Sequence, residues 1–98
     1  MTERFELNKP IRVHDEEITV LEYRAPTPDD VEAIGELPYR MQADSTIQPL
    51  PAVCIRYLSK MAGMPVSSIK QMALTDINKL CFVVAGFFWD SGQTDPMP

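Results

Sequence analysis

The sequence contains one histidine, His14, and three acidic residues follow it directly as Asp15, Glu16 and Glu17. Imidazole and carboxylate groups at such spacing can bind a metal ion or act as a general base. A zinc site would need further ligands, and no second histidine is present. Because the four residues lie in a predicted turn, we interpret them as a solvated acidic loop and expect no metal site.

The candidate nucleophiles lack neighbours that would activate them. Ser67 and Ser68 follow a proline and are expected to cap a short helix. Cys54 and Cys81 lie in apolar segments, without a basic neighbour to lower a thiol pKa. Buried thiols in a reducing compartment are the simpler interpretation, although a disulfide between the two stays open. Since activation by a neighbouring base is a requirement of nucleophilic catalysis, the sequence predicts a non-enzymatic protein without a cofactor.

Length and charge restrict the classes of partner. The chain has 98 residues, enough for one domain, and its net charge of -5 disfavours binding to nucleic acid. The longest apolar run, Leu80–Trp89, is about half the length that spans a bilayer. The first residues contain no apolar run typical of a secretion signal. We therefore expect a cytosolic protein that binds neither nucleic acid nor membrane.

The N-terminal quarter of the chain is typical of a β-hairpin. Alternating apolar residues predict strands Phe5–Val13 and Ile18–Arg24, joined by the polar loop His14–Glu17. This loop would place Val13 opposite Ile18 and continue in that register along both strands. A proline in the first strand predicts an edge position or a break there.

The remaining sequence predicts short helices and an α+β fold, in which the N-terminal β-hairpin packs on three to four α-helices. Thr27 and Thr75 are the expected N-caps of the first and last helices, and Gly35 is expected to end the first. Residues 36–50 show no clear period, and the polar stretch 41–51 is expected to form a loop or an ordered but irregular crossing. Residues 36–50 could also become ordered only on binding. The predicted helices cover about 28–35, 51–62, 66–73 and 76–89, within a single domain of residues 1–90 and before a flexible tail at 91–98.

The last predicted helix has more apolar surface than one buried face requires. A coherent face is predicted to enter the core, and it consists of Ile77, Leu80, Cys81, Val84 and Phe88. A domain of this size has too little material to enclose the remaining aromatic rings, and exposed aromatic patches are typical of interaction sites. The predicted partner-binding residues are Phe82, Phe87, Phe88 and Trp89.

Two blocks of short motifs indicate a family. The first block consists of Leu7, Pro10, Ile11, Leu21, Tyr23, Arg24, Pro26 and Thr27. The second consists of Gly63, Val66, Ser68 and Asp76, directly before the closing apolar helix. With that helix, the two blocks resemble the phage tail assembly chaperones of contractile-tailed phages and prophages over roughly residues 5–89.

This resemblance implies a non-enzymatic chaperone in the host cytoplasm. Its expected partners are the tape measure protein and the tail tube protein, and it would be absent from the mature virion. Many members of the family also have a longer product made by ribosomal frameshifting. Two other hypotheses stay open: a structural tail or baseplate subunit retained in the virion, and a prophage-encoded regulatory adaptor that dimerises through its last helix. Homo-oligomerisation is compatible with all three.

Overall fold

The computed structural model describes residues 2–89, and it shows the predicted α+β fold within that range. The side chain of Trp89 and the predicted tail lie outside the described part of the chain. In chain order the elements are β1 (Thr2–Val13), β2 (Glu16–Arg24), α1 (Pro28–Ile34), β3 (Tyr39–Met41), β4 (Ile47–Pro49), α2 (Pro51–Ala62), α3 (Val66–Ile69) and α4 (Leu74–Trp89).

The turn between β1 and β2 is shorter than the sequence pattern predicts. Only His14 and Asp15 lie between the strands, and their φ angles are +53° and +67°. Two successive residues with positive φ are what a type I′ hairpin turn requires. Val13 therefore pairs with Glu16, and the predicted loop of residues 14–17 is wrong.

The shorter turn changes the register of the whole hairpin. Ile11 pairs with Ile18, whereas the pattern predicts Val13 in that position. The ladder is then interrupted between Glu6 and Ile11, as expected for a strand that contains Pro10. A proline has no N–H to donate, so the strand bulges at this point and resumes pairing beyond it.

Side chains from the helical half of the protein form hydrogen bonds with β1 at this bulge and just beyond it. The carboxylate of Asp76, in the first turn of α4, accepts from the backbone N and from Nδ2 of Asn8, each over 2.8 Å. Gln71 Oε1 accepts from Arg12 N over 2.8 Å, and Ser68 Oγ donates to Arg12 O over 3.1 Å. The predicted capping role of Ser68 is therefore wrong, because its hydroxyl joins α3 to β1.

A second network of hydrogen bonds joins β2, α1 and α2. Arg24 donates from Nη1 and Nη2 to the two carboxylate oxygens of Asp30, over 2.7 and 3.1 Å, and also to the carbonyl of Lys60. Thr27 and Asp30 form a reciprocal capping box, which confirms Thr27 as the N-cap of α1. Asp30 is only 5% exposed. The hydrogen bond from Arg24 lowers the pKa of the Asp30 carboxyl, and bonds from Thr27 act in the same direction.

A short second hairpin occupies part of the segment that the sequence predicts to be a loop. Tyr39 pairs with Pro49 across β3 and β4, and Ser45 adopts a φ of +71° in the turn. Asp44 Oδ1 accepts from Thr46 N over 3.1 Å and stabilises this turn. The prediction of a loop or an irregular crossing over 41–51 is therefore wrong where β4 pairs with β3, because strands of three residues are too short to show a period.

The core lies where α2 packs against α4 and against β2. The helix α4 begins at Leu74, so Thr75 lies inside it and the predicted cap at that residue is wrong. Within residues 2–89, no helix is long and apolar enough to cross a bilayer. The buried apolar residues are Ile11, Leu21, Tyr23, Val53, Cys54, Tyr57, Leu58, Met61, Ile69, Met72, Leu80, Cys81, Val84 and Ala85.

The contact between Asp76 and Asn8 generates a prediction about stability. Replacement Asp76→Ala is expected to lower the free energy of unfolding by about 3 kcal/mol, because it removes a fully buried carboxylate that accepts two hydrogen bonds from Asn8. Chemical denaturation followed by circular dichroism measures this change. The matched control is Asp44→Ala, which removes an aspartate that also accepts two hydrogen bonds but in an exposed turn, so it should lower stability much less. Equal effects of the two replacements would contradict the assignment.

The lowered pKa of Asp30 generates a prediction about pH. Because the pKa is lower in the folded than in the unfolded chain, the stabilisation is complete above the ordinary aspartate value of about 3.9 and is lost as the pH falls below it. The stability difference between wild type and Asp30→Asn should therefore shrink below about pH 4. On an Arg24→Gln background this pH dependence should be weaker, and urea titrations across the pH range would measure it.

Candidate partner-binding surface

The residues with catalytic potential do not form a site in the described structure. His14 lies exposed in the β1–β2 turn, and within residues 2–89 no three His, Cys, Asp or Glu side chains are placed to hold a metal ion. Cys54 and Cys81 are buried free thiols, and Cys54 Sγ lies 3.4 Å from the carbonyl oxygen of Pro38. Contact with Cys81 and burial both raise the pKa of the Cys54 thiol. These cysteines are packing residues of the core.

The exposed face of α4 carries large apolar side chains. Phe82 is 59% exposed and Leu74 is 85% exposed. They are eight residues apart, which corresponds to about 12 Å along a helix. The opposite face of the same helix contributes Leu80 and Val84 to the core, and both are fully buried. The helix therefore has one face inside the protein and a second apolar face in solvent.

A groove follows this second face, and β4 and the start of α2 form its other wall. It consists of two adjoining clefts of about 270 and 450 Å³, and both are lined by Phe82 and Pro49. We call these clefts together the α4 groove. No charged side chain of the described residues lines either cleft. The other residues that line the α4 groove are Ser45, Thr46, Ile47, Pro51, Leu74, Ile77, Asn78, Cys81, Ala85 and Gly86.

Gly86 lies in α4 at one end of this groove. A glycine inside a helix is less stable than alanine by up to about 1 kcal/mol. A Cβ atom at Gly86 would meet nothing within 4 Å, so the packing of the monomer does not require the absence of a side chain there. The missing side chain leaves open space beside Ala85 and Phe82, which line the same cleft.

Phe87 and Phe88 lie on a different side of α4 from Phe82. Both are half-buried, and Phe88 packs edge-to-face against Tyr39 and Tyr57 with ring centroids 6.0 and 5.5 Å apart. They line a separate cleft of about 420 Å³ beside α1, together with Pro26, Thr27, Pro28, Val31 and Glu32. These contacts make Phe88 part of the core as well as part of the wall of this α1 cleft.

The structure thus divides the predicted partner-binding residues between two surfaces. Phe82 lies in the α4 groove, whereas Phe87 and Phe88 lie at the α1 cleft. The sequence analysis did not include Leu74, although its spacing from Phe82 places both on one face of a helix. It could not include Pro49, since the position of β4 beside α4 follows only from the tertiary structure.

The comparison with known families agrees with the motifs in the sequence. A family model described as phage tail assembly chaperone proteins, E, or 41 or 14, matches residues 4–88, which is most of the chain. No curated protein and no solved structure is significantly similar to this chain. The match begins at Arg4 in β1 and extends to Phe88 in α4. The chain belongs to the phage tail assembly chaperone family.

Proposed function

We propose that this protein binds the tape measure protein of a phage tail and assists polymerisation of the tail tube around it. Membership of the tail assembly chaperone family supports a role in tail assembly. The observation that carries the finer proposal is the α4 groove, an uncharged apolar surface with Phe82 59% exposed. In this proposal the tail tube protein is a second partner, and the chaperone leaves before the virion is complete.

The groove has the chemistry that such a partner needs. A tape measure protein is a long helical chain with apolar stripes, and these stripes would aggregate if they stayed exposed to water. Grooves of this kind bind amphipathic helices by burying the apolar face of the helix. The net charge of -5 on the chaperone would keep the coated complex soluble.

The proposal involves binding and release in the host cytoplasm, with no chemical step. Binding must be reversible, because the tail tube has to replace the chaperone along the tape measure protein. A groove that buries a few apolar side chains is suited to this exchange, since affinity at such surfaces depends on a small number of residues. Phe82 is the best candidate for a dominant contact, because it belongs to both clefts of the groove.

Co-expression with the tape measure protein tests the proposed partner. Replacement Phe82→Ala is expected to reduce the amount of co-purified tape measure protein by about tenfold or more, since it removes the largest exposed apolar side chain of the groove. The control is Leu37→Ala, which truncates an apolar side chain that is 45% exposed and does not line the groove. Full recovery with Phe82→Ala would contradict the assignment of this residue.

Mass spectrometry of purified phage particles tests the timing of the proposed role. A chaperone is released before assembly ends, so peptides of this chain should be missing from mature particles and present in lysates that contain unfinished tails. Detection in mature particles at the abundance of a tail protein would identify a structural tail or baseplate subunit instead.

A further inference from the structure

We propose that the α4 groove binds one amphipathic α-helix whose apolar stripe is flanked by carboxylates. The inference rests on the proposed function, because it assigns this helix to the tape measure protein. It adds the conformation and charge of the bound segment, and it selects the α4 groove over the α1 cleft as the site.

The dimensions of the groove fit a helix. It extends along α4 from Leu74 to Gly86, which corresponds to about 18 Å or somewhat more than three helical turns. Apolar residues at i, i+4, i+7 and i+11 of a partner helix would cover the same length on one face. An added β-strand fits less well, because it needs backbone donors on β4, and Pro49 has no N–H.

The side chains of α4 are small where a partner helix would approach it. Ala85 and Gly86 are adjacent there, and the space above Gly86 is open to at least 4 Å. Small residues allow two helix backbones to come close together, and the protein's own fold does not use this space. Phe82 lies one turn before Gly86 and would contact the partner's apolar stripe from the side.

The exposed charge on α4 favours an acidic partner. Lys79 is exposed on α4 three residues before Phe82, whereas Asp76 on the same helix is fully buried against Asn8. The turn at the far wall has one exposed carboxylate, Asp44, which accepts hydrogen bonds from Thr46 and opposes this preference at that end of the groove. Of the other basic side chains in residues 37–89, Arg56 is paired with Glu36 over 3.4 Å, and Lys60 lies in a separate cleft beside β2. Lys79 is therefore the exposed cation of α4 on which this preference depends.

The N-terminal part of the chain has the opposite balance of charge. Residues 2–36 contain ten acidic side chains and four basic ones. A helix with carboxylate flanks would be repelled by the β1–β2 hairpin and attracted to the side of Lys79, which directs it to the α4 groove. A helix with lysine flanks would be directed to the hairpin and α1 instead. Charge asymmetry therefore gives the groove a preference that its apolar lining alone does not provide.

Two synthetic helical peptides test this charge preference on the full-length protein. Both have about 18 residues, enough for the groove, and an identical leucine stripe, with glutamate flanks in one and lysine flanks in the other. Fluorescence anisotropy should show roughly fivefold tighter binding of the glutamate peptide at low salt and a smaller ratio at high salt. Lys79→Glu should remove the preference; equal binding, or tighter binding of the lysine peptide, would overturn the proposal.

A bulky side chain at Gly86 tests the site itself. Gly86→Leu should fill the groove without disturbing the fold, so the Tm should not fall, while binding of the glutamate peptide and of the tape measure protein should each fall about tenfold. The matched control is Ala33→Leu, which places the same side chain on the exposed surface of α1. Unchanged binding by a folded Gly86→Leu variant would overturn the proposal.

The outcomes separate this inference from the proposed function. Capture of tape measure protein by wild type and equally by Gly86→Leu would overturn the groove assignment and leave the proposed function in place. Binding of the glutamate peptide at the groove without any capture of tape measure protein would overturn the proposed function. Sedimentation showing a dimer that Gly86→Leu dissociates would identify a second copy of the chain as the occupant and overturn the partner helix.

Discussion

The buried carboxylate of Asp76 is the constraint on which the orientation of α4 depends. It has no exposed surface, and burial of a charged group is unfavourable unless hydrogen bonds replace water. Two donors of Asn8 provide these bonds, and they come from the point where β1 leaves its ladder. The first turn of α4 is therefore joined to the bulge of β1. With this end fixed, Leu80 and Val84 face the core, and Phe82 is left in solvent.

A second buried carboxylate, Asp30, has the same function at the other end of the hairpin. Its bonds with Arg24, and the bond from Arg24 to the carbonyl of Lys60, join three elements. Both carboxylates lie in hydrogen-bond networks that also join β1 or β2 to the helices. Four residues of these networks belong to the family motifs of the sequence, namely Arg24, Thr27, Ser68 and Asp76. The motifs that indicate the family therefore encode the scaffold. The residues that line the α4 groove are not among the named positions of the two motif blocks, so the outline of the proposed partner surface has to be found from the structure.

The exposed groove follows from the size of the protein. A chain of 98 residues has a limited number of elements with which to surround α4, and these are the hairpin, α2 and the short β3–β4 ribbon. An apolar helix covered on some sides only is ordinarily a liability, because exposed apolar surface promotes association. In the function proposed above the same surface is the binding site, and a net charge away from zero limits association of the free protein.

The sequence by itself determined the local features: the fold class, the capping box at Thr27, the end of α1 at Gly35 and the apolar excess of the last helix. These depend on residues within one or two turns of each other, so their pattern is visible in the chain. The tertiary structure alone decided the hairpin register, the β3–β4 pairing and the placement of Phe82 and Phe87 in different clefts. Each of these depends on contacts between distant residues, such as Asn8 with Asp76, which no local period encodes.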